Sequence, residues 1–150
     1  MIKKLTLIVL LITLTTCGYS PLLNSDKTNF YIGDLKFEGD RQINNYILTS
    51  LKKYQIFQQN SQRYDIKIIS KYDKTIINKD RSGNPKNYNL KAQTEIKIIK
   101  DNIEQVSSFE KNISLSAQNK RIREKVLEKK YKENLSDLLI KDIIYFLNNQ

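Results

Sequence analysis

Two stretches of this chain alternate apolar and polar residues with a period of two, and that alternation limits its fold more than any other feature. In the first, Tyr64, Ile66 and Ile68 fall on one side, and Asp65, Lys67 and Lys71 on the other. In the second, Tyr88, Leu90, Ala92, Thr94, Ile96 and Ile98 share a side opposite Lys91, Gln93, Glu95 and Lys97. Successive side chains of a strand point to opposite faces, so each run reads as a half-buried strand. A sheet built from such strands has one dry face and one wet face, and is covered on a single side. Residues 78–87, between the runs, are rich in Asn, Asp, Gly and Pro and read as a loop. After a turn at Lys100-Asp101-Asn102, a third strand-like region from Ile103 to about Leu115 completes an antiparallel meander.

The residues that cover the dry face are found on either side of the meander. From Arg41 to Tyr54 the apolar positions Ile43, Tyr46, Ile47, Leu51 and Tyr54 trace one helical face, with Asp40 as the expected N-cap. The tyrosines on that face are expected to pack in the core. Ahead of this helix, residues 30–37 read as a strand with an irregularity at Gly33-Asp34, in which Leu35 and Phe37 share a face. The C-terminal stretch repeats Leu127, Tyr131, Leu135, Leu138, Leu139, Ile143, Phe146 and Leu147 at spacings of three and four, a helix that starts between about 117 and 125. The expected fold is α+β, in the order strand, helix, three strands, helix. Two helices pack on one face of a four-stranded, mostly antiparallel sheet, in a single domain spanning residues 30–150.

The N-terminus reads as an address. Met1-Ile2-Lys3-Lys4 precedes an unbroken run of apolar residues and Thr from Leu5 to Leu14, the cationic and apolar regions of an export signal. The run is shorter than the roughly 20 residues a helix needs to span a bilayer. It ends at Leu14-Thr15-Thr16-Cys17, which resembles a bacterial lipobox and contains the chain's one cysteine. The resemblance implies cleavage after residue 16, diacylglycerol on the Cys17 sulfur, and acylation of its amine. Several acyl chains, at about 0.8 kcal/mol per buried methylene, anchor a protein for good. Gly18, where Asp would retain such a protein in the inner membrane, implies passage to the outer one. Residues 17–29 are polar and turn-prone and serve as a lipidated tether.

Composition narrows the chemistry. The 150 residues include no His and one Cys, so there is no imidazole base, no disulfide framework and no Cys or His metal cluster. None of the common nucleophile, phosphate-loop, zinc or dinucleotide motifs occurs. Asp65, Asp73, Glu95 and Glu110 show no spacing that favours a carboxylate pair across a cleft. We therefore expect no enzyme activity and no cofactor or metal, the lipid on Cys17 apart. The net charge is +10, and loss of Lys3 and Lys4 on cleavage leaves +8. Lys, Ile and Asn supply 57 of the 150 residues, the signature of AT-rich codons, so the charge has two candidate causes: codon usage and an anionic partner. An exported chain seldom meets DNA or RNA, and no recognition motif for it is present, so we expect no nucleic-acid partner. Within the last helical stretch, residues 120–132 hold seven cations and two anions, which opposes the helix dipole.

Taken in order, Cys17-Gly18-Tyr19, Pro21-Leu22, the strand carrying Phe37-Glu38-Gly39-Asp40-Arg41, the amphipathic helix, the meander and the long final helix resemble the LPS-assembly lipoprotein family, LptE, in its alphaproteobacterial form. The likeness covers essentially the whole mature chain and rests mainly on order, length and export signal. A final helix rich in Lys and poor in Ala departs from it. The resemblance implies a non-catalytic lipoprotein of the outer membrane, facing the periplasm or seated within a barrel lumen. Such a protein plugs and supports the β-barrel partner LptD and receives lipopolysaccharide. Lysines neutralise phosphate as point charges, so Lys67, Lys71, Lys91 and Lys97 on the wet sheet face are the candidate lipopolysaccharide contacts. The other reading is a generic outer-membrane lipoprotein acting as an accessory scaffold subunit of another envelope assembly machine.

Overall fold

Both alternating runs are strands, and both are longer than their alternation. The computed structural model describes residues 28–57, 59–100, 103–118 and 120–150. The export signal, Cys17 with most of the tether, and the turn residues Asp101 and Asn102 lie outside them. The elements are β1 (Phe30–Gly39), α1 (Arg41–Leu51) continued by a 3-10 turn (Lys52–Gln55), β2 (Gln62–Lys79), β3 (Pro85–Lys100), β4 (Ile103–Ser116) and α2 (Arg121–Asn148). The four strands lie side by side in chain order. β2, β3 and β4 form the antiparallel meander, whereas β1 runs parallel to β2. A parallel pair needs a crossover, and α1 provides it. The α+β architecture expected from the sequence is the one observed.

β2 continues past Tyr72 because pairing outlasts burial. Thr75 to Lys79 are exposed on both faces, so no alternation marks them, yet the ladder runs on through Ile76 opposite Tyr88 to Lys79 opposite Pro85. The loop expected over 78–87 thus contracts to residues 80–84. Its geometry is set by Asp80, whose carboxylate accepts from the amides of Ser82 (2.8 Å) and Asn84 (2.9 Å). Gly83 supplies the positive φ of +84° that the turn requires.

The irregularity at Gly33-Asp34 is a β-bulge. Ile32 is opposite Tyr64 while Leu35 is opposite Ile66, so one extra residue is inserted. The insertion brings Leu35 and Phe37 onto the core side, in phase with Phe30 and Ile32. β1 ends at Gly39, which has φ +93° and faces the Ser70 carbonyl so closely that a Cβ would lie 1.9 Å from its oxygen. Asp40 then starts α1, its Oδ1 accepting from the amides of Gln42 (2.9 Å) and Ile43 (3.0 Å). Ser70 closes the junction by donating to Asn44 Oδ1 at 2.6 Å.

Tyr64, Ile66 and Ile68 of β2 and Leu90, Ile96 and Ile98 of β3 form the floor of the core, all 2% exposed or less. Ile43, Ile47 and Leu51 of α1, with Leu135, Leu139, Ile143 and Leu147 of α2, cover them. Of the expected helix tyrosines, Tyr54 is buried and stacks on Phe30 with ring centroids 5.5 Å apart. Leu138 differs from expectation, being 42% exposed. The buried stripe of α2 instead runs through Lys132, Leu135, Ser136, Leu139, Ile140, Ile143, Ile144 and Leu147. At 100° per residue, Leu138 lies on the far side of Leu139 from Ile140, which puts it nearly opposite the middle of that stripe.

Candidate functional site

The open face of the sheet holds all four lysines singled out in the sequence. Register places Lys36, Arg63, Lys67, Lys71, Lys91 and Lys97 there among Glu38, Asp65, Asp73, Glu95, Glu104 and Glu110, six cations against six anions. Lys67 pairs with Glu38 at 2.6 Å and Lys91 with Glu110 at 2.8 Å, while Lys97 lies between Glu95 (3.6 Å) and Glu104 (3.5 Å). The hydrogen bond from Lys91, helped by one from Gln93, holds the Glu110 carboxyl below the usual range. Lys71 forms no ion pair with any other described residue. Beside the bulge, the Asp65 carboxylate accepts from the Asp34 amide at 2.9 Å and from Arg63, contacts that lower its pKa in that order. The structure thus brings Lys67, Lys71, Lys91 and Lys97 onto one surface, but that surface is close to neutral.

The excess positive charge lies at one end of the molecule. Lys79, Arg81 and Lys86 belong to the β2–β3 hairpin, and with Tyr88, Gln118 and Glu124 they line an open cleft between its tip and the start of α2. Lys120 and Arg123 line the adjoining depression beside Ala117 and Gln118. The Ala117 amide, donating to the Lys86 carbonyl at 2.9 Å, ties the two segments together. The three acids at this end are all engaged. Asp80 is held by the turn amides, and Glu124 and Glu128 accept from Lys74 at 2.7 and 3.0 Å. Arg123, Lys125, Lys129 and Lys130 project from α2 and make no ion pair within 4 Å among the described residues. Exposed Ile122 and Val126 sit among them.

Between sheet and helix runs a chain of polar contacts that the sequence did not disclose. Lys132 is 9% exposed, donates to Gln42 Oε1 at 2.9 Å, lies 3.5 Å from Asp40 Oδ2 and sits 3.8 Å from the centre of the Tyr72 ring. The Tyr72 hydroxyl donates to Glu128 at 3.1 Å. Burial, and after it the Glu128 charge, drives the Tyr72 pKa far up, so the hydroxyl stays protonated and remains a donor. Glu128 also accepts from Lys74 at 3.0 Å, and Lys74 lies 4.2 Å from the centre of the Tyr88 ring. Burial lowers the Lys74 pKa, but the hydrogen bonds to Glu124 and Glu128 outweigh it and raise the value. The signal for these residues was their phase. Tyr72 and Lys74 continue the even-numbered core side of β2, and Lys132 lies in line with Ser136 and Leu139. Two of the seven cations of segment 120–132 are therefore to be read separately from the rest: Lys132 faces the core, and Lys120 precedes the helix. Among the described residues no group of three or more metal-ligating side chains converges.

Compared by sequence, the chain matches no protein-family model and no curated protein. Compared by structure, it is similar to rare lipoprotein B from Shewanella oneidensis, with a TM-score of 0.56 over 78% of this chain and 98% of that one, at 12% identity. It is also similar to the solution structure of an uncharacterized lipoprotein B from Nitrosomonas europaea, with a TM-score of 0.55 over 81% and 86% of the two chains, at 12% identity. It has the lipoprotein B fold. At this identity the likeness is one of architecture, and it extends over nearly all of the Shewanella chain.

Proposed function

We propose that this protein is an outer-membrane lipoprotein, anchored through Cys17, that supports an LptD-type β-barrel as its lumenal plug and assists lipopolysaccharide assembly without catalysis. The observation that carries the proposal is the shared fold with rare lipoprotein B, matched along almost the whole of that chain. The lipobox tetrad ahead of the fold supports the anchor, and Gly18 after the cysteine supports the outer membrane. A sheet face with six charges of each sign suits the water-lined interior of a barrel, because it stays hydrated without a large uncompensated field.

The anionic groups of lipopolysaccharide are better served by the basic end than by the open sheet face. There the cations of α2 and the hairpin have no carboxylates to displace, whereas Lys67, Lys91 and Lys97 already have partners. The deciding experiment is co-purification. Tagged mature protein extracted in mild detergent is expected to bring down a large β-barrel at about equal stoichiometry. Recovery of the lipoprotein alone would overturn the plug reading.

A further inference from the structure

The end of the sheet at which the chain enters carries an apolar rim. β1 starts at Phe30 opposite Gln62, the first residue of β2, and the antiparallel ladders bring the last residues of β3 and the first of β4 to the same end. Ile56 and Phe57, shortly before β2, belong to it too, with the Phe57 ring edge-on to Tyr31 at 5.3 Å. Ile56, Phe57, Ile99, Ile103 and Val106 are 68%, 69%, 52%, 72% and 51% exposed. Large apolar side chains gathered at one end of a domain mark a contact surface, whereas scattered ones do not. The middle of the open face is instead filled with compensating charge, and the exposed Ile76, Ile77, Ile122 and Val126 belong to the opposite end, among the cations of the hairpin and the start of α2.

We propose that this rim rests in the headgroup–acyl boundary of a phospholipid bilayer, beside the anchor. The proposal depends on the reading of Cys17 as the acylated residue. Cys17 is eleven residues ahead of Thr28, so covalent geometry keeps it within about 40 Å of Thr28, at the entry end of β1. The other end lies farther off, since the 18 residues of β2, at about 3.3 Å each, extend nearly 60 Å. Lys52, Lys53 and Lys100 flank the rim, where cations favour anionic headgroups. The basic start of α2, beside the β2–β3 hairpin, is then at the end of the sheet opposite the docked rim.

Cys17 is the only cysteine, and acylation blocks it, so one introduced thiol takes one label. Lipidated protein carrying Ile103→Cys, Val106→Cys or Ile122→Cys, labelled with an environment-sensitive fluorophore, is placed in phosphatidylethanolamine–phosphatidylglycerol vesicles containing nitroxide-labelled lipid. All three side chains are exposed, so none of the substitutions disturbs the core. Labels at 103 and 106 are expected to shift to the blue and lose most of their emission to the nitroxide, while the label at 122 keeps its own. Unquenched emission at 103 and 106, or equal quenching at 122, overturns the proposal. A blue shift without quenching also overturns it, because it means that protein covers the rim, either residues 19–23 of the same chain or a second copy. Mass spectrometry separates the two readings. A chain without acyl mass fails the anchor and the docking together, whereas acylated but unquenched protein fails the docking alone.

Discussion

At Gly39 a single atom matters. Its φ of +93° and the 1.9 Å that would separate a Cβ from the Ser70 carbonyl leave no room for a side chain against backbone. Gly39→Ala is expected to cost about 2–4 kcal/mol in urea unfolding of the mature domain, since strand and turn must both shift. Gly83 has a similar φ of +84° but nothing within 4 Å, so Gly83→Ala should cost only the left-handed backbone penalty, about 1–2 kcal/mol. Equal losses at the two sites would show that close approach is not what Gly39 provides. Asp40 allows a second separation. One of its oxygens caps α1 and the other faces the buried Lys132. Asp40→Ala should lose about 2 kcal/mol, while Asp40→Asn keeps the cap and should lose less than half of that. A thermal melt in which both variants fall equally would place the whole effect on the charge. The capping role was legible beforehand, from an Asp after Glu-Gly and before an apolar helical period. The partnership with Lys132 was not, because the two residues are 92 positions apart.

At the scale of elements, α2 begins badly by local rules. It has no capping side chain at Lys120, one acid in its first turn and a surplus of cations. Tertiary contact compensates, through the Lys74 ammonium held between Glu124 and Glu128. This clip should depend on pH in a definite direction. Glu124 has its pKa lowered, chiefly by the Lys74 hydrogen bond, so its contribution is present above the ordinary Glu range near 4.3 and is lost as pH falls through the lowered value. Lys74 has its pKa raised, so its contribution is present below about 10.4 and is lost as pH rises through the raised value. Amide protection over residues 121–131, with the intrinsic pH dependence of exchange divided out, should therefore be greatest between about pH 5 and 10 and fall on either side, with about 1 kcal/mol at stake after partial screening. Glu124→Gln should flatten the acid limb, and an unchanged acid limb would remove Glu124 from the clip. The start of α2 could not be read from sequence because no cap announces it. β2 was read too short because its last five residues are exposed on both faces, where alternation carries no information.

For the whole molecule, what matters is where the charge goes. A count of +8 for the mature chain does not distinguish a basic face from a basic end, and pairing distances do. Replacing Arg123, Lys125, Lys129 and Lys130 with Gln is expected to weaken lipopolysaccharide binding and flatten its salt dependence. Replacing Lys67, Lys71, Lys91 and Lys97 in the same way should do less, since three of the four are already neutralised. Titrations at two ionic strengths compare the two variants, and a larger loss in the sheet variant would return the contact to the open face. All eight side chains lie outside the core, so neither set of changes should alter folding.

The sequence alone determined which side of each strand is dry, the face of each helix, the order of the elements and the place of the lone cysteine. Each of these is a local pattern, set by a period of 2 or 3.6 residues or by a short motif. The tertiary structure decided the rest: the parallel pairing of β1, the half-burial of Lys74 and the burial of Lys132, the neutrality of the open face and the gathering of unpaired cations at the start of α2. These depend on which residues face one another across strands and layers. Register and packing set those neighbours, and no window along the chain contains them.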